Sequence, residues 1–124
     1  MSALVLLLMV AEVEVLAPSE VAFGKAFELT VIRRWSSGLD PEPWQDALLR
    51  PLAVKLVDRQ QGERAGVVQE TLRFHAYAFE RSAVVLAGVT FTAHAADGTE
   101  RSDTADPKNI IVESSLDGAA PGPV

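Results

Sequence analysis

The segment VAFGKAFELTVIRRW, Val21–Trp35, decides the fold class that this sequence predicts. Its apolar pattern is interrupted at Gly24, and from Phe27 onwards apolar residues alternate with Glu28 and Thr30. Because successive side chains of a β-strand point to opposite faces, a period of two predicts a strand with one buried and one solvated face. A glycine in front of such a strand permits the bend that carries the chain from one sheet edge to the next strand.

The same two-residue period recurs along the chain, and turn-forming residues separate the segments that carry it. Short strands divided by turn signals at intervals of roughly 8–12 residues are typical of sandwiches and barrels. We therefore predict an all-β fold, an immunoglobulin-like antiparallel β-sandwich of about seven strands. The candidate strands are Glu12–Leu16, Ala26–Trp35, Leu52–Asp58, Val67–Phe79, Val84–Ala95, Glu100–Thr104 and Asn109–Ser114.

Two connections carry local signals of their own. Asp97-Gly98 lies between two alternating segments and predicts a hairpin with a type I′ turn, in which both central residues adopt positive φ. The segment PEPWQDALLRP, Pro41–Pro51, is the candidate for one short helical turn. Pro43 suits a helix start, and Pro51 would end the helix.

The two ends of the chain differ in composition from the middle. Residues 1–11 contain an apolar run that is shorter than the about 20 residues needed to span a bilayer and that matches the apolar part of a signal peptide. No Lys or Arg precedes this run, so residues 1–11 are interpreted either as a signal-peptide remnant or as an edge strand. Residues 12–116 are predicted to form the sandwich, and residues 117–124, rich in Gly, Pro and Ala, a flexible tail or linker.

Charge and composition exclude several classes of function. The formal net charge is -6 and the basic residues are scattered, which argues against nucleic acid and anionic membrane surfaces as partners. We interpret Arg33 and Arg34 as a solvated strand end. The chain has no cysteine, so disulfides, thiolate metal sites and cysteine nucleophiles are excluded. We expect no enzymatic activity and no cofactor, and any membrane attachment only through segments outside this chain.

The two histidines do not predict a metal or catalytic site. If Val67–Phe79 and Val84–Ala95 formed a hairpin around Glu80-Arg81-Ser82, that pairing would separate His75 and His94 by about six ladder positions, roughly 20 Å, which is too far for one ion. Both lie on predicted solvent faces, and we interpret them as exposed strand histidines.

The two tryptophans are interpreted first as plugs at one end of the sandwich rather than as a ligand platform. If the domain has a binding surface, we expect it at the connection between them. Trp35 and Trp44 flank this connection, and Asp40 and Glu42 lie within it. Loops on a rigid sandwich commonly carry function. An exposed, coplanar pair of indoles would favour a carbohydrate- or small-ligand-binding module appended to an enzyme. Tryptophans buried in the core would favour a protein-interaction module.

The first strands resemble those of bacterial extracytoplasmic immunoglobulin-like modules. The resemblance lies in EVEVLAPSEVAFGKAFELTVI, where a Val-x-x-Gly-x-x-Phe step is followed by Leu-Thr-Val. The later segment LRFHAYAFERSAVVLAGVTFTAHAADGTERSDTADPKNIIVESSL resembles the closing strands of the BatD (oxygen-tolerance) family. Its matching steps are an aromatic-rich strand, Val89-Thr90-Phe91 and Ala105-Asp106-Pro107.

The resemblance covers about Glu12 to Leu116 and departs from the family in one turn. The family usually has Pro and Gly where this chain has Glu80-Arg81-Ser82-Ala83. The resemblance implies a periplasmic or membrane-associated protein of the cell envelope, without catalytic residues. It also implies protein partners of the von Willebrand and AAA ATPase types. No family site residue can be carried over to this sequence.

Overall fold

The computed structural model describes residues 9–114 and confirms the all-β prediction. Asp46–Leu49 form one turn of 3₁₀ helix, where the sequence predicts a short helix. None of the described residues forms a helix long and apolar enough to cross a membrane. The strands are β1 (Ala11–Leu16), β2 (Glu20–Ala22), β3 (Phe27–Ser36), β4 (Asp40–Pro41), β5 (Ala53–Arg64), β6 (Val67–Tyr77), β7 (Ser82–Leu86), β8 (Thr90–His94), β9 (Glu100–Thr104) and β10 (Lys108–Glu113).

These strands form three hydrogen-bonded sheets. One sheet contains β1, β3, β6 and β5 in that order. A second contains β2, β10 and β7, and a third contains β4, β8 and β9. All the pairings are antiparallel except that of β2 with β10, which is parallel.

The second and third sheets are the two ends of one long hairpin. β7 and β10 pair Leu86 with Lys108, and β8 and β9 pair Thr90 with Thr104, so one register continues across the break. Between the two sheets, the N–H of Ala105 donates to the carbonyl of Val89 over 2.9 Å. β7 and β8 therefore occupy one strand position, and β9 and β10 occupy the neighbouring one.

The ten segments thus fill seven strand positions. β1 and β2 share a position, because β1 pairs with β3 in one layer and β2 pairs with β10 in the other. A layer of β1, β3, β6 and β5 faces a layer of β9–β10, β7–β8 and β4. This four-against-three arrangement is that of a constant-type immunoglobulin sandwich, and it agrees with the predicted fold.

The inward face changes within the long hairpin. Val84 and Leu86 are buried on β7, whereas Val89 and Phe91 are buried further along. The buried residues are therefore even-numbered before the break and odd-numbered after it. Both strands leave regular β geometry between the two sheets, at residues 87–89 and 105–107, so the faces are exchanged in both strands at once and the register is kept.

One hydrophobic cluster fills the space between the layers. Leu29 and Phe74 are ladder partners on β3 and β6, and neither is accessible to solvent. Ile110 joins them from β10, and Leu49 comes from the 3₁₀ turn. The connection between β4 and β5 therefore contributes to the core as well as to the surface.

The structure differs from the sequence-based expectations in one strand pairing and in one strand boundary. Val67–Phe79 does not form a hairpin with Val84–Ala95, because β6 lies between β3 and β5. Arg64 and Val67 close a two-residue turn in which Ala65 and Gly66 have φ of 53° and 79°. These are the positive values that a type I′ turn requires, and alanine gives little signal for them. In addition, Val84–Ala95 is divided into β7 and β8.

Gly24 occupies the bend that the sequence predicts. Its φ is 71°, a value that glycine adopts without steric cost. The N–H of Lys25 donates to the carbonyl of Ala22 over 3.2 Å, and the N–H of Gly24 donates to the carbonyl of Ala78 over 2.9 Å. This turn carries the chain from β2 in one layer to β3 in the other.

The hairpin at Asp97-Gly98 is confirmed, but its turn type differs from the predicted one. Within this turn only Gly98 has a positive φ, 90°. The N–H of Gly98 donates to the carbonyl of Ala95 over 2.9 Å, and the N–H of Ala95 donates to the carbonyl of Thr99 over 2.8 Å. This pattern is a type I turn followed by a bulge glycine. The carboxylate of Asp97 accepts the N–H of Thr99, which lowers the pKa of Asp97.

The interpretations of the two chain ends stay predictions. β1 begins at Ala11, the last residue of the segment interpreted as a signal-peptide remnant or an edge strand. Residues 1–8 and the predicted tail, residues 117–124, lie outside the described residues.

Replacing Ala65 with Asn tests the positive-φ turn between β5 and β6. An alanine in this left-handed region costs about 1–2 kcal/mol, whereas asparagine adopts it routinely. Ala65→Asn should therefore raise the free energy of unfolding by about 1 kcal/mol in urea denaturation. Ala87→Asn is the matched control, because Ala87 is also exposed but has no positive φ. Equal effects of the two substitutions would contradict the assigned turn.

Candidate functional site

The structure separates the four residues of the predicted binding surface. Trp35 is buried in the core, and its ring centroid lies 5.7 Å from that of Phe91. Trp44 is half-buried, with its ring centroid 5.8 Å from that of Phe74, and its Nε1 donates to Asp46 over 2.7 Å. The two indoles therefore do not form the exposed, coplanar pair that would favour ligand binding. Both pack against aromatic rings of the core.

Asp40 and Glu42 meet His94, which sequence reasoning left without a partner. β4 places Asp40 opposite His94, and the next residues bring Oε2 of Glu42 to 2.8 Å from Nε2 of His94. On the other side, Oε2 of Glu100 lies 3.5 Å from Nδ1 of the same imidazole. Three adjacent strand ends therefore join through one half-buried histidine.

These carboxylates hold the pKa of His94 above its ordinary value of 6.5. The hydrogen bond that the imidazole donates to the carboxylate of Glu42 is the main cause, and the negative charges of Glu100 and Asp40 act in the same direction. Partial removal of the imidazole from water opposes the shift. Across residues 9–114 there is no group of three or more carboxylate or histidine side chains that could hold a metal ion.

His75 lies elsewhere, on the outer side of the other layer. The ladder places it on β6, opposite Glu28 of β3 and Lys55 of β5. It is exposed, as the alternation predicts. The two histidines therefore belong to different sheets, whereas a hairpin of Val67–Phe79 with Val84–Ala95 would have placed both in one sheet.

Arg33, interpreted from the sequence as part of a solvated strand end, is buried. It is 4% exposed, and its partner Glu70 is 1% exposed. Nε and Nη2 of Arg33 lie 2.8 and 2.6 Å from Oε1 of Glu70, and Arg59 reaches Oε2 over 2.6 Å. The sequence did contain a signal for the burial of Arg33, because this residue shares its strand face with Val31 and Trp35.

Arg33 also links the larger sheet to the connection that follows β4. Its Nη1 donates to the carbonyl of Glu42 over 2.7 Å, and its guanidinium lies 4.7 Å from the ring centroid of Phe91. Beside it lies a groove of about 230 Å³ whose lining includes Gln45, Leu48 and Thr92. The position of the connection is therefore fixed by a buried charge rather than by a long strand.

A second candidate site lies around β7 and was missed by sequence reasoning. Phe79, Val85 and Ile111 are 55%, 54% and 50% exposed. Ile111 is the ladder partner of Ala83, which is also exposed, and Val85 lies two residues further along β7. We call Phe79, Ala83, Val85 and Ile111 the β7 patch. Its signal in the sequence is the uncharged run SAVVL.

Aromatic packing supports the end of the β7 patch. The ring of Phe79 stacks on Tyr77, with centroids 6.2 Å apart, and meets Phe23 edge-on at 6.0 Å. The guanidinium of Arg81 lies 5.8 Å from the ring centroid of Phe23. An exposed phenylalanine held by two further rings is preorganised for contact, because little side-chain entropy remains to be lost.

The edge of β5 also exposes apolar residues, but it differs in character. Leu56 and Val57 are exposed at a β-bulge between Leu56 and Asp58. The rest of this strand carries charges that include Arg59 and Glu63. Bulges and charged side chains are devices by which proteins discourage pairing at a sheet edge.

No protein-family model and no curated protein matches this chain. Among solved structures, the chain is similar to a non-cellulosomal cohesin from the hyperthermophilic archaeon Archaeoglobus fulgidus. The two are 10% identical in sequence, with a TM-score of 0.45 over 88% of this chain and 96% of the cohesin.

A double-mutant cycle tests the buried ion pair. Glu70→Leu alone leaves Arg33 charged and unpaired, and it should lower the free energy of unfolding by about 3–5 kcal/mol. Adding Arg33→Met should recover most of this loss, because well-packed apolar side chains commonly replace a buried pair without penalty. Urea denaturation measures both values. A double variant as unstable as the sum of its two singles would contradict the assigned pairing.

Stability should fall with rising pH through the titration of His94. Because the folded-state pKa lies above the unfolded one, the stabilisation is complete below pH 6.5 and is lost as pH rises through the folded pKa. The measurement is the free energy of unfolding at several pH values, together with an NMR titration of the imidazole. Glu42→Gln should lower the pKa of His94 and flatten this dependence, whereas His75→Gln should preserve it.

Proposed function

We propose that this chain is a non-enzymatic protein-interaction module, and that the β7 patch is its contact surface. The observation that carries the proposal is the exposure of three large apolar side chains around one short strand. Scattered single apolar residues are ordinary on protein surfaces, but grouped ones mark interaction sites. Exposed aromatic residues such as Phe79 commonly contribute much of the binding energy of an interface.

We further propose an extracytoplasmic location, in the periplasm or cell envelope, and partners of the kind that BatD-like proteins meet. This proposal is supported by the sequence resemblance between Glu12 and Leu116 and by the apolar run in residues 1–11. It extends to von Willebrand-type and ATPase-associated proteins as partner classes. The ligand-binding alternative gains no support at the connection, where the indoles pack inward.

Site-specific photo-crosslinking in the native organism tests the proposed surface. A photoreactive amino acid at Phe79 or at Val85 should yield one discrete adduct with a partner protein, recovered in the envelope fraction. Lys55 is the matched control position, because it is also exposed on a strand at a sheet edge. Identification of the adduct by mass spectrometry then names the partner class.

Two outcomes would count against the contact surface, and a third against the location. Adducts of the same pattern at Lys55 would indicate non-specific proximity rather than a defined surface. The absence of adducts at both Phe79 and Val85, in cells where the protein is present and folded, would remove the β7 patch as the contact surface. An adduct found only in the cytoplasmic fraction would contradict the proposed location and leave the surface assignment intact.

A further inference from the structure

The β7 edge lies where a seven-position sandwich ordinarily has its next strand. β4 fills this position for only two residues, Asp40 and Pro41, opposite His94 and Ala93 of β8. The N–H of Glu42 donates once more, to the carbonyl of Thr92 over 2.9 Å, and the chain then leaves the sheet. Among the described residues, β7 therefore has a ladder neighbour on one side only, β10.

The ladder geometry identifies the backbone groups that point to the open side. The N–H of Ile111 donates to the carbonyl of Ser19, on the β2 side of β10. The residues of an antiparallel pair alternate between bonded and non-bonded positions, and Ala83 is the partner of Ile111. The backbone N–H and carbonyl of Ala83 therefore point away from β10. The N–H and carbonyl of Val85, two residues along β7, point in the same direction. The N–H of Ala83 is taken by the carbonyl of Arg81 at 3.0 Å. Within residues 9–114, the carbonyl of Ala83 and both the N–H and the carbonyl of Val85 have no backbone partner.

The edges of β5 and β1 carry features that discourage pairing, whereas Ser82–Leu86 of β7 carries none of these features. β5 has a bulge and several charges, and at the edge of β1 the carboxylate of Asp103 accepts the N–H of Val13 over 2.8 Å. The segment Ser82–Leu86 contains no charge, no proline and no bulge. Its β-branched residues suit a further strand.

We propose that β7 binds its partner by strand addition, accepting an extended segment of another polypeptide along Ser82–Leu86. This inference rests on the proposed interaction function and specifies its mode. Main-chain hydrogen bonds to Ala83 and Val85 supply the affinity, and alternate side chains of the added strand meet the apolar surroundings of β7. We therefore expect β-branched or aromatic residues at alternate positions of the bound segment.

A second copy of this chain fits the edge less well than another polypeptide does. Pairing β7 with itself engages only the five residues of that strand in each copy. Stable interfaces involve about 20–30 residues on each side. An extended peptide segment does not need so large an area, because main-chain hydrogen bonds along the strand edge supply its affinity.

Amide hydrogen exchange by NMR on the full chain tests the mode. The probe is a short blocked peptide of alternating threonine and valine, and its control is the same peptide with alternate amides N-methylated. At about ten times the dissociation constant, the exchange of the Val85 amide should slow about tenfold, because only the free fraction exchanges. The methylated peptide should leave this rate unchanged.

Two variants separate main-chain pairing from side-chain contact. Val85→Pro removes the donor that faces the open edge, a position where proline is tolerated, and it should abolish peptide binding. Val85→Thr keeps the donor and the branched side chain, and it should bind as the parent does. Equal binding by both variants, or failure of the parent to bind either peptide, would overturn the proposal.

The remaining outcomes identify a different occupant. Slow exchange at Val85 in the free monomer would show that the chain's own residues cover the edge. Protection that disappears on dilution, with dimers seen in sedimentation, would assign the edge to a second copy. If crosslinks at Phe79 persist unchanged in Val85→Pro, the interaction surface stands and strand addition is wrong, so the two proposals fail separately.

Discussion

A carboxylate buried between two guanidinium groups constrains the arrangement of this sandwich. Removing Glu70 and Arg33 from water costs several kcal/mol for each ion, and that cost is offset only while both remain paired and hydrogen-bonded. The pairing requires β3 and β6 to hold the register in which these two residues are partners. It also requires the chain after β4 to pass close enough for the carbonyl of Glu42 to accept a bond from Arg33.

That second requirement affects the opposite layer. The N–H of Glu42 donates to Thr92 of β8, and in a regular ladder the carbonyl of Glu42 would accept from Thr92 in return, but this carbonyl accepts from Arg33 instead. The strand ends there, and the chain turns into the 3₁₀ helix that places Leu49 in the core. The open edge of β7 is thus a consequence of how the molecule accommodates a buried charge. The buried ion pair and the open edge of β7 therefore both depend on the hydrogen bond that Arg33 donates to the carbonyl of Glu42.

The sequence predicts which residues face inward far better than it predicts which strands are neighbours. The alternation of apolar and polar residues reflects burial on one face of a strand. The predicted bounds of β3 and β9 therefore lie close to the observed ones, and strands of this kind predicted a sandwich of about seven strands. Pairing depends on turns, and the turn at Ala65 lacks the usual asparagine. The break between Leu86 and Val89 leaves the apolar run intact while it exchanges faces, so periodicity alone could not reveal it.

The candidate sites show the same limit. Asp40 and Glu42 are exposed, but their partner His94 lies more than fifty residues away in the sequence, and only the fold brings them together. Trp35 lies in the core and shares its strand face with Val31. The β7 patch was missed for a different reason. An uncharged run such as SAVVL predicts a strand, but it gives no indication that no described strand pairs with its second edge.

The parallel pairing of β2 with β10 determines how the domain responds to tension. β2 lies near the beginning of the described chain and β10 near its end, and they run in the same direction. A pull applied between these two ends slides one strand along the other, so their hydrogen bonds are loaded together and must rupture together. In an antiparallel hairpin pulled from its open end, each bond would instead break before the next was loaded. The pairing of β2 with β10 is therefore loaded in shear when the two ends of the described chain are pulled apart.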